Sequence, residues 1–182
     1  IDSKILEKFD CQGMHEVYDA WPSIASQSYN TSLSQVDFHN ISHIVFAGMG
    51  GSGAIHDVFS AILSKTNIHV SIVKGYHLPR TVDSETLVVT SSVSGNTVET
   101  LTVLDSAKKI NCKLIAFSDG GKMKEYCIKN NIEHRNIPLY HSPRGSFASF
   151  LFSMLKVLQP VIPIKNYDII ESINNLKDLQ CK

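Results

Sequence analysis

Short apolar runs alternate along this chain with longer segments in which apolar residues recur at helical spacing. Runs rich in Val and Ile and bounded by turn residues are typical of buried parallel strands, and helical segments of about 10–15 residues suit the connections between them. The alternation predicts an α/β fold: a doubly wound, five-stranded parallel sheet in the flavodoxin-like order 2-1-3-4-5. The five predicted strands cover residues 44–47, 69–73, 86–90, 113–117 and 132–138.

The turn after the third predicted strand, Ser92–Thr97, is rich in hydrogen-bonding side chains. It contains three hydroxyl groups, a glycine and an asparagine, and a helical pattern starts at Val98. A helix N-terminus has free N–H donors and a partial positive charge, and hydroxyls there add donors that rotate towards phosphate oxygens. The turn therefore predicts a phosphate site without a cationic side chain. The alternative is that Ser and Thr only cap the helix, which accounts for one hydroxyl but not three.

A second glycine-containing turn, Gly48–Gly53, follows the first predicted strand. Its spacing satisfies the G-x-G-x-x-G pattern of dinucleotide-binding folds, which expect a carboxylate near the end of the second strand. The second predicted strand leads instead to Lys74. A lysine there would suit only a phosphorylated ribose, so a dinucleotide site is the weaker interpretation.

The two turns are expected to open into one crevice. In the order 2-1-3-4-5, strands 1 and 3 are neighbours, and ligands bind outside their carboxyl ends, where the connecting helices leave on opposite faces. The donors of residues 50–52 would then share a space with the hydroxyls of the Ser92–Thr97 turn. The sequence therefore predicts a site for a small phosphate ester, bound reversibly because neither turn contains Lys or Arg.

Composition narrows the classes of function. The 182 residues suit one domain, and 17 basic residues balance 17 acidic ones without a basic patch, which argues against nucleic-acid partners. No apolar run approaches the roughly 20 residues that span a bilayer, and no leader pattern is visible at the start. The four cysteines lack metal or redox spacing, so we expect reduced thiols in a cytoplasmic protein. No metal or nucleotide cofactor is expected.

Helical segments flank the predicted sheet. Before it we expect a helical arm over residues 1–40, which begins with a short helix capped by Asp2 and docks on the core through Tyr18 and Trp21. The run 147–158 is apolar around most of its circumference. A helix of this kind is buried in its own core or against another domain or subunit. The pattern predicts an oligomer, most simply a homodimer, or a further domain that covers the helix.

Four motifs, taken in order, resemble the sugar isomerase (SIS) domain. They are similar to the first half of the bifunctional phosphoglucose/phosphomannose isomerases, over about residues 14–158. The resemblance implies a SIS domain at residues 41–160 and, at residues 161–182, a helix that leads towards a second SIS domain outside this chain. The motifs are Gly48-Met-Gly-Gly-Ser-Gly53, Tyr76-His-Leu-Pro79, Ser92-x-Ser-Gly-Asn-Thr97 and Ser142-Pro-Arg144.

The resemblance also implies roles for individual residues. Arg144 matches an arginine beside the reacting carbons, where a guanidinium stabilises an enediolate; its own surroundings in the sequence suit a surface ion pair equally well. Aldose–ketose isomerisation further needs a base that moves a proton between adjacent carbons, and the resembled enzymes carry that glutamate in the second domain. Within this chain Glu99 and His141 are the candidates, each more typical of a structural role. The predicted phosphate ligands are Gly50, Gly51, Ser52, Ser92, Ser94, Gly95, Asn96 and Thr97.

The sequence departs from the family at two positions near the predicted site. Val93 stands where the family commonly has Tyr, and His56 stands where it has Gly, about one turn past the first phosphate loop. A lone histidine near an apolar helix face is more often structural than functional. The chain is thus interpreted as the phosphate-binding domain of an isomerase for glucose 6-phosphate, fructose 6-phosphate or mannose 6-phosphate. The alternative is a stand-alone phosphosugar sensor or regulatory module without catalysis.

Overall fold

The computed structural model describes residues 8–180, which form one parallel sheet with helices on both faces. The strands are β1 (His43–Ala47), β2 (His69–Val73), β3 (Thr86–Ser91), β4 (Lys113–Ser118) and β5 (Glu133–Asn136). They lie in the order β2-β1-β3-β4-β5, and every neighbouring pair is parallel. The predicted fold class and strand order are confirmed.

Helices connect and flank these strands. The helix that follows β1 lies on one face of the sheet, and the helices that follow β3 and β4 lie on the other, which makes the fold doubly wound. The helices are α1 (Met14–Asp19), α2 (Trp21–Tyr29), α3 (Gly50–Leu63), α4 (Val98–Lys108), α5 (Gly121–Asn130), α6 (Phe147–Leu158) and α7 (Asn166–Gln180).

Alternate residues of the central strands supply the two halves of the core. β1 and β3 are buried along their whole length. Phe46 packs in one cluster with Phe59 of α3 and Phe150 of α6, whereas the next residue back, Val45, packs with Val103 of α4 on the other face. A slip of β1 by one residue would move its side chains from one face of the sheet to the other. Because both faces are buried, the packing of both would be lost. This register keeps the carboxyl ends of β1 and β3 side by side.

Strand β5 is shorter than the predicted run over residues 132–138. The N–H of Ile132 donates to the carbonyl of Cys127 at 3.0 Å, which completes the end of α5 rather than a strand ladder. At the other end, Pro138 has no N–H to donate. The ladder is therefore limited to the four residues of β5.

The N-terminal arm docks through Trp21, one of the two aromatic residues that the sequence suggested. Trp21 stacks on Phe147 with ring centroids 5.8 Å apart, and Tyr18 contacts Trp21 edge-on at 4.9 Å. The indole N–H of Trp21 also donates to the carbonyl of Gly145 at 3.0 Å. The anchoring role of Trp21 is confirmed, whereas Tyr18 contacts Trp21 within the arm and its docking on the core stays a prediction. The helix predicted around Asp2 lies outside the described residues.

The apolar helix α6 is covered by other parts of the same chain. α2 packs along it and α3 contacts it. Ile169 and Ile173 of α7 are buried in the same cluster as Phe150 and Leu158 of α6. The pattern that predicted an oligomer is thus accounted for by packing within the chain. Self-association stays a prediction.

The described residues contain no helix that is long and apolar enough to cross a membrane. Cys11, Cys112 and Cys127 are free thiols. Over the same part of the chain, no three His, Cys, Asp or Glu side chains are grouped so that they could hold a metal ion.

Candidate phosphate-binding site

The turn after β1 lies directly against the end of β3. A Cβ built on Gly48 would lie 2.9 Å from the carbonyl oxygen of Ser91 and 3.0 Å from Cβ of Ser52, so glycine is required where the two strands end. Helix α3 then begins at Gly50, whose φ of 55° lies in the left-handed region. The first N–H groups of a helix have no acceptor within it. The amides of Gly50 and Gly51 therefore suit an anion at this edge of the sheet.

The hydroxyl-rich turn after β3 does not use its side chains to cap α4. Thr97 is the N-cap residue, and among the described residues its side chain makes no capping hydrogen bond. Its Oγ1 lies 2.8 Å from Oγ of Ser92 instead, and the N–H of Gly95 donates to the Ser92 carbonyl at 3.0 Å. Ser94 is exposed, and its Oγ accepts the N–H of Asn96 at 3.3 Å. A pair of hydroxyls uses only one of its two protons internally, so one remains to donate to a ligand.

The turn after β4 packs against the hydroxyl-rich turn and holds it in place. A Cβ on Gly95 would lie 1.9 Å from the carbonyl oxygen of Gly120. The Gly95 carbonyl accepts the N–H of Met123 at 2.9 Å, and Oδ1 of Asn96 accepts the N–H of Lys122 at 3.2 Å. Sequence reasoning missed this support, although the paired glycines after the fourth strand were a visible signal. The assignment of Gly95 and Asn96 as phosphate ligands stays a prediction.

Arg144 approaches the first turn from the start of α6. The carbonyl oxygen of Pro143 lies 3.4 Å from the position of a Cβ on Gly51. Arg144 is exposed and forms no ion pair with any residue in the range 8–180. The ion-pair alternative therefore finds no support in this part of the chain. A cleft of about 440 Å³ opens beside it, lined by Tyr18, Trp21, Gly50, Gly51, Ala54, Arg144 and Phe147.

A second, larger cleft lies at the opposite edge of the sheet. It has a volume of about 550 Å³ and surrounds the start of β4 and the end of α4. We place the candidate site at the carboxyl ends of the strands, because two helix N-termini and the hydroxyl-rich turn meet there. In open α/β sheets, ligands bind outside the carboxyl ends of the strands.

The two candidate bases of this chain lie where a structural role is expected, His141 through a contact and Glu99 through its place in a helix. A ring nitrogen of His141, Nε2, lies 2.9 Å from the carbonyl oxygen of Gln12, which joins the Ser142–Arg144 segment to the arm. Glu99 lies in the first turn of α4, where a carboxylate is stabilised by the helix N-terminus. These positions agree with the structural role that the sequence favoured for both residues.

Lys74, the residue considered for a dinucleotide phosphate, is engaged elsewhere. Its Nζ lies 2.7 Å and 2.9 Å from the two carboxylate oxygens of Asp57 on α3. This ion pair agrees with the preference for a small phosphate ester over a dinucleotide.

His56 is buried beneath both turns. Its Nε2 lies 2.8 Å from Oγ of Ser91, at the end of β3. Burial lowers the pKa of the imidazole to about 3, so the ring is neutral at physiological pH. The structural interpretation of this histidine agrees with its position in the core.

Comparison with known proteins identifies the domain to which these turns belong. Residues 37–126 match the family model of the SIS domain. The chain carries a SIS domain. The solved C-terminal domain of glucosamine-fructose-6-phosphate aminotransferase from Francisella tularensis shares the fold of this SIS domain, with a TM-score of 0.63 at 18% identity over 92% of this chain and 53% of that one.

Two relatives are similar to this SIS domain in sequence. A bifunctional phosphoglucose/phosphomannose isomerase of Caldicellulosiruptor bescii is 38% identical over 154 residues, which are 80% of this chain and 44% of the relative. A D-glucosamine-6-phosphate 4-epimerase of Sulfolobus acidocaldarius is 31% identical over 140 residues, which are 76% of this chain and 42% of the relative. The resemblance drawn from the motifs is confirmed. The chain spans less than half the length of either relative.

Proposed function

We propose that this SIS domain binds a hexose 6-phosphate and serves an aldose–ketose isomerase that acts on glucose 6-phosphate, fructose 6-phosphate or mannose 6-phosphate. The observation that carries the proposal is the meeting of two donor-rich helix starts at one edge of the sheet, where Gly48 lies against the carbonyl of Ser91. Similarity to a protein named phosphoglucose/phosphomannose isomerase supports the isomerase class.

The phosphate group is bound in this proposal by neutral donors. The amides of Gly50 and Gly51 contribute from the start of α3, and the hydroxyls of Ser92, Ser94 and Thr97 contribute from the next turn. Helix N-termini favour a dianion electrostatically without a fixed positive charge. A site of this kind releases its ligand readily, as a metabolic enzyme requires.

Arg144 is the catalytic residue that we propose within this chain. As a proton moves between C1 and C2 of the sugar, negative charge develops on an enediolate oxygen, and a fixed guanidinium stabilises that charge. Arg144 suits this role because it borders the same cleft as Gly50 and Gly51 and has no carboxylate partner within residues 8–180. The base that transfers the proton is assigned to a further domain or subunit, and no metal or nucleotide takes part.

The alternative function is a phosphosugar-binding module that senses or regulates without catalysis. It is favoured by one observation: both candidate bases, Glu99 and His141, have structural surroundings in this chain. The two functions share the phosphate site and differ only in whether a base completes it.

The proposal is tested by titrating the protein calorimetrically with the three hexose phosphates while NMR follows their interconversion. We expect Ser94→Ala to weaken binding by at least about tenfold, because one hydrogen bond to a charged group contributes roughly 1.5–3 kcal/mol. Ser94 is exposed, so the substitution leaves the core intact. The matched control is Ser106→Ala, which removes a hydroxyl that only bonds the carbonyl of Thr102 at 2.9 Å within α4.

The titration separates the two functions in one direction. Binding with interconversion establishes an isomerase whose base is present in the assembly. Binding without interconversion agrees with the sensing module and equally with an isomerase domain whose base belongs to a partner, so that outcome supports only the phosphate site. An absence of binding, or equal effects of Ser94→Ala and Ser106→Ala, contradicts the proposed phosphate site.

We further propose that the protein acts in the cytoplasm as a homodimer, with a phosphosugar and no nucleic acid or membrane as its partner. The balanced charge agrees with this assignment. Outward-facing apolar side chains of α7, Tyr167, Ile170 and Leu179, are available for self-association. Light scattering of the purified chain is expected to give twice the mass of one chain, and a single-chain mass across the accessible concentrations would contradict the dimer.

A further inference from the structure

One side-chain hydrogen bond links helix α3 to strand β3 directly beneath the candidate site. Nε2 of His56 lies 2.8 Å from Oγ of Ser91, and both residues have 0% exposure. The imidazole also contacts the first turn, since a Cβ on Gly48 would lie 2.7 Å from Cε1 of His56. The ring lies 5.3 Å from that of Phe46, tilted by 34°. His56 therefore touches the first residue of the first phosphate turn, Gly48, and the residue that directly precedes the second turn, Ser91.

The hydrogen bond is not explained by stability alone. Nδ1 of His56 is buried and has no hydrogen-bond partner among the residues that the structure describes. A buried polar atom without a partner costs about 1–3 kcal/mol, so an apolar side chain of similar volume would avoid a penalty that the imidazole incurs. Replacing both members of a buried polar pair by apolar groups is often nearly neutral for stability. The histidine is thus better explained by what it positions.

Ser91, the hydrogen-bond partner of His56, lies between the two phosphate turns. Ser91 directly precedes Ser92, the first hydroxyl of the second turn, and its carbonyl oxygen abuts Gly48 of the first turn. A shift of α3 relative to β3 would move the amides of Gly50 and Gly51 away from the hydroxyls on the other side of the site. Because hydrogen bonds weaken steeply with misalignment, a small shift is enough to weaken an anion held by both turns.

We propose that His56 is a positioning residue that fixes the first phosphate turn relative to the second through its hydrogen bond with Ser91. The inference rests on the proposed phosphosugar site and adds a residue to it that touches neither the phosphate nor the sugar.

The test compares binding with stability in three variants of the full chain. His56→Leu removes the hydrogen bond, and His56→Leu with Ser91→Ala removes both partners. His56→Gln keeps an amide group at about the reach of Nε2, and that amide can either donate to Oγ of Ser91 or accept from it. We expect the double variant to regain most of the stability lost in His56→Leu but still to bind hexose 6-phosphate and inorganic phosphate about tenfold more weakly than the wild type. His56→Gln is expected to bind within about twofold of the wild type.

Phe59→Leu is the matched control, because Phe59 lies on the same helix and stacks on Phe46 at 5.2 Å. It should lower stability and leave phosphate affinity unchanged. If the double variant binds as tightly as the wild type, or if Phe59→Leu weakens binding to the same extent as His56→Leu, the positioning role is wrong. A wild-type protein that binds neither ligand overturns the proposed function as well, whereas binding that all variants retain overturns only this inference.

Discussion

Replacement of Gly95 by alanine is expected to lower the free energy of unfolding by about 3 kcal/mol or more. The new Cβ would lie 1.9 Å from the carbonyl oxygen of Gly120 and 2.8 Å from its carbonyl carbon, and both belong to backbone that cannot rotate away. Gly95 also has φ 68°, which costs a residue with a side chain about 1–2 kcal/mol. Since the turns after β3 and β4 must separate to admit the methyl group, the hydroxyl-rich turn is distorted as well.

Substitutions at two other glycines separate the effect of the clash with Gly120 from the effect of the positive φ. Gly50 has a similar φ of 55°, but among the described atoms nothing lies within 4 Å of a Cβ built there, so Gly50→Ala should cost only about 1 kcal/mol. Gly75→Ala has equally open surroundings and should have almost no effect. Urea unfolding followed by the fluorescence of Trp21, the one tryptophan, measures all three variants. Equal stability losses in Gly95→Ala and Gly50→Ala would contradict the close contact between the two turns.

Acid is expected to destabilise the protein strongly between pH 6.5 and 4. Burial lowers the pKa of His56 to about 3 and that of His134 to about 4. The Oγ of Ser118 lies 2.8 Å from Nε2 of His134, whose pKa is lowered further by Lys124 and Arg135. Both rings are therefore neutral in the folded protein at a pH where the unfolded chain binds a proton.

The direction in which pH changes the free energy of unfolding follows from proton linkage. Below a pH of about 6.5 the unfolded state binds protons at both histidines that the folded state does not, so the free energy of unfolding falls as the pH falls. Each histidine lowers the free energy of unfolding by at most about 1.4 kcal/mol for every unit that the pH falls, until its folded pKa is reached, and the partly exposed His134 contributes less than the fully buried His56 because solvent screens its surroundings. This stability is fully present above pH 6.5. Depressed carboxylate pKa values, such as that of Asp105, act only at lower pH.

Urea unfolding at pH 7.5, 6.5, 5.5 and 4.5 checks this expectation. His56→Gln should reduce the pH slope by about half or more, since glutamine does not titrate, while keeping the hydrogen bond to Ser91. Phe59→Leu should lower stability equally at every pH and leave the slope unchanged, because it removes packing and no titratable group. A slope in His56→Gln equal to that of the wild type would show that His56 gains its proton as readily in the folded state as in the unfolded one.

The candidate site illustrates how far residue pattern alone can lead. Ser92, Ser94 and Thr97 were identified as a group because the number of hydroxyls at one strand–helix turn exceeds what capping requires, and the structure shows no capping bond from Thr97 among the described residues. Which hydroxyl bonds which could not be predicted, because that depends on rotamers fixed by packing. The turn after β4 that supports Gly95 was missed for a different reason: Gly120 and Gly121 mark a turn in the sequence, but no local pattern shows which distant loop that turn contacts.

Helix α6 shows most clearly what cannot be predicted from the sequence. Its composition indicated that it must be buried but carried no information on what covers it; α2 and α3 of the same chain pack on it, and apolar residues of α7 belong to the same buried cluster. A hydrophobic surface is satisfied by any apolar partner, so burial is specified locally while the partner is specified only by the global arrangement of the chain.

The sequence by itself determined the strand–helix alternation, the strand order and the position of the two donor-rich turns, because hydrophobic period, glycine and hydroxyl placement act over a few neighbouring residues. The tertiary structure decided the rest: that His56 bonds Ser91, that Gly95 meets Gly120, and that Arg144 borders the first turn without a carboxylate partner in the described part of the chain. These contacts join residues far apart in the chain, and they form only where close packing on both faces of the sheet holds the strand ends in one register.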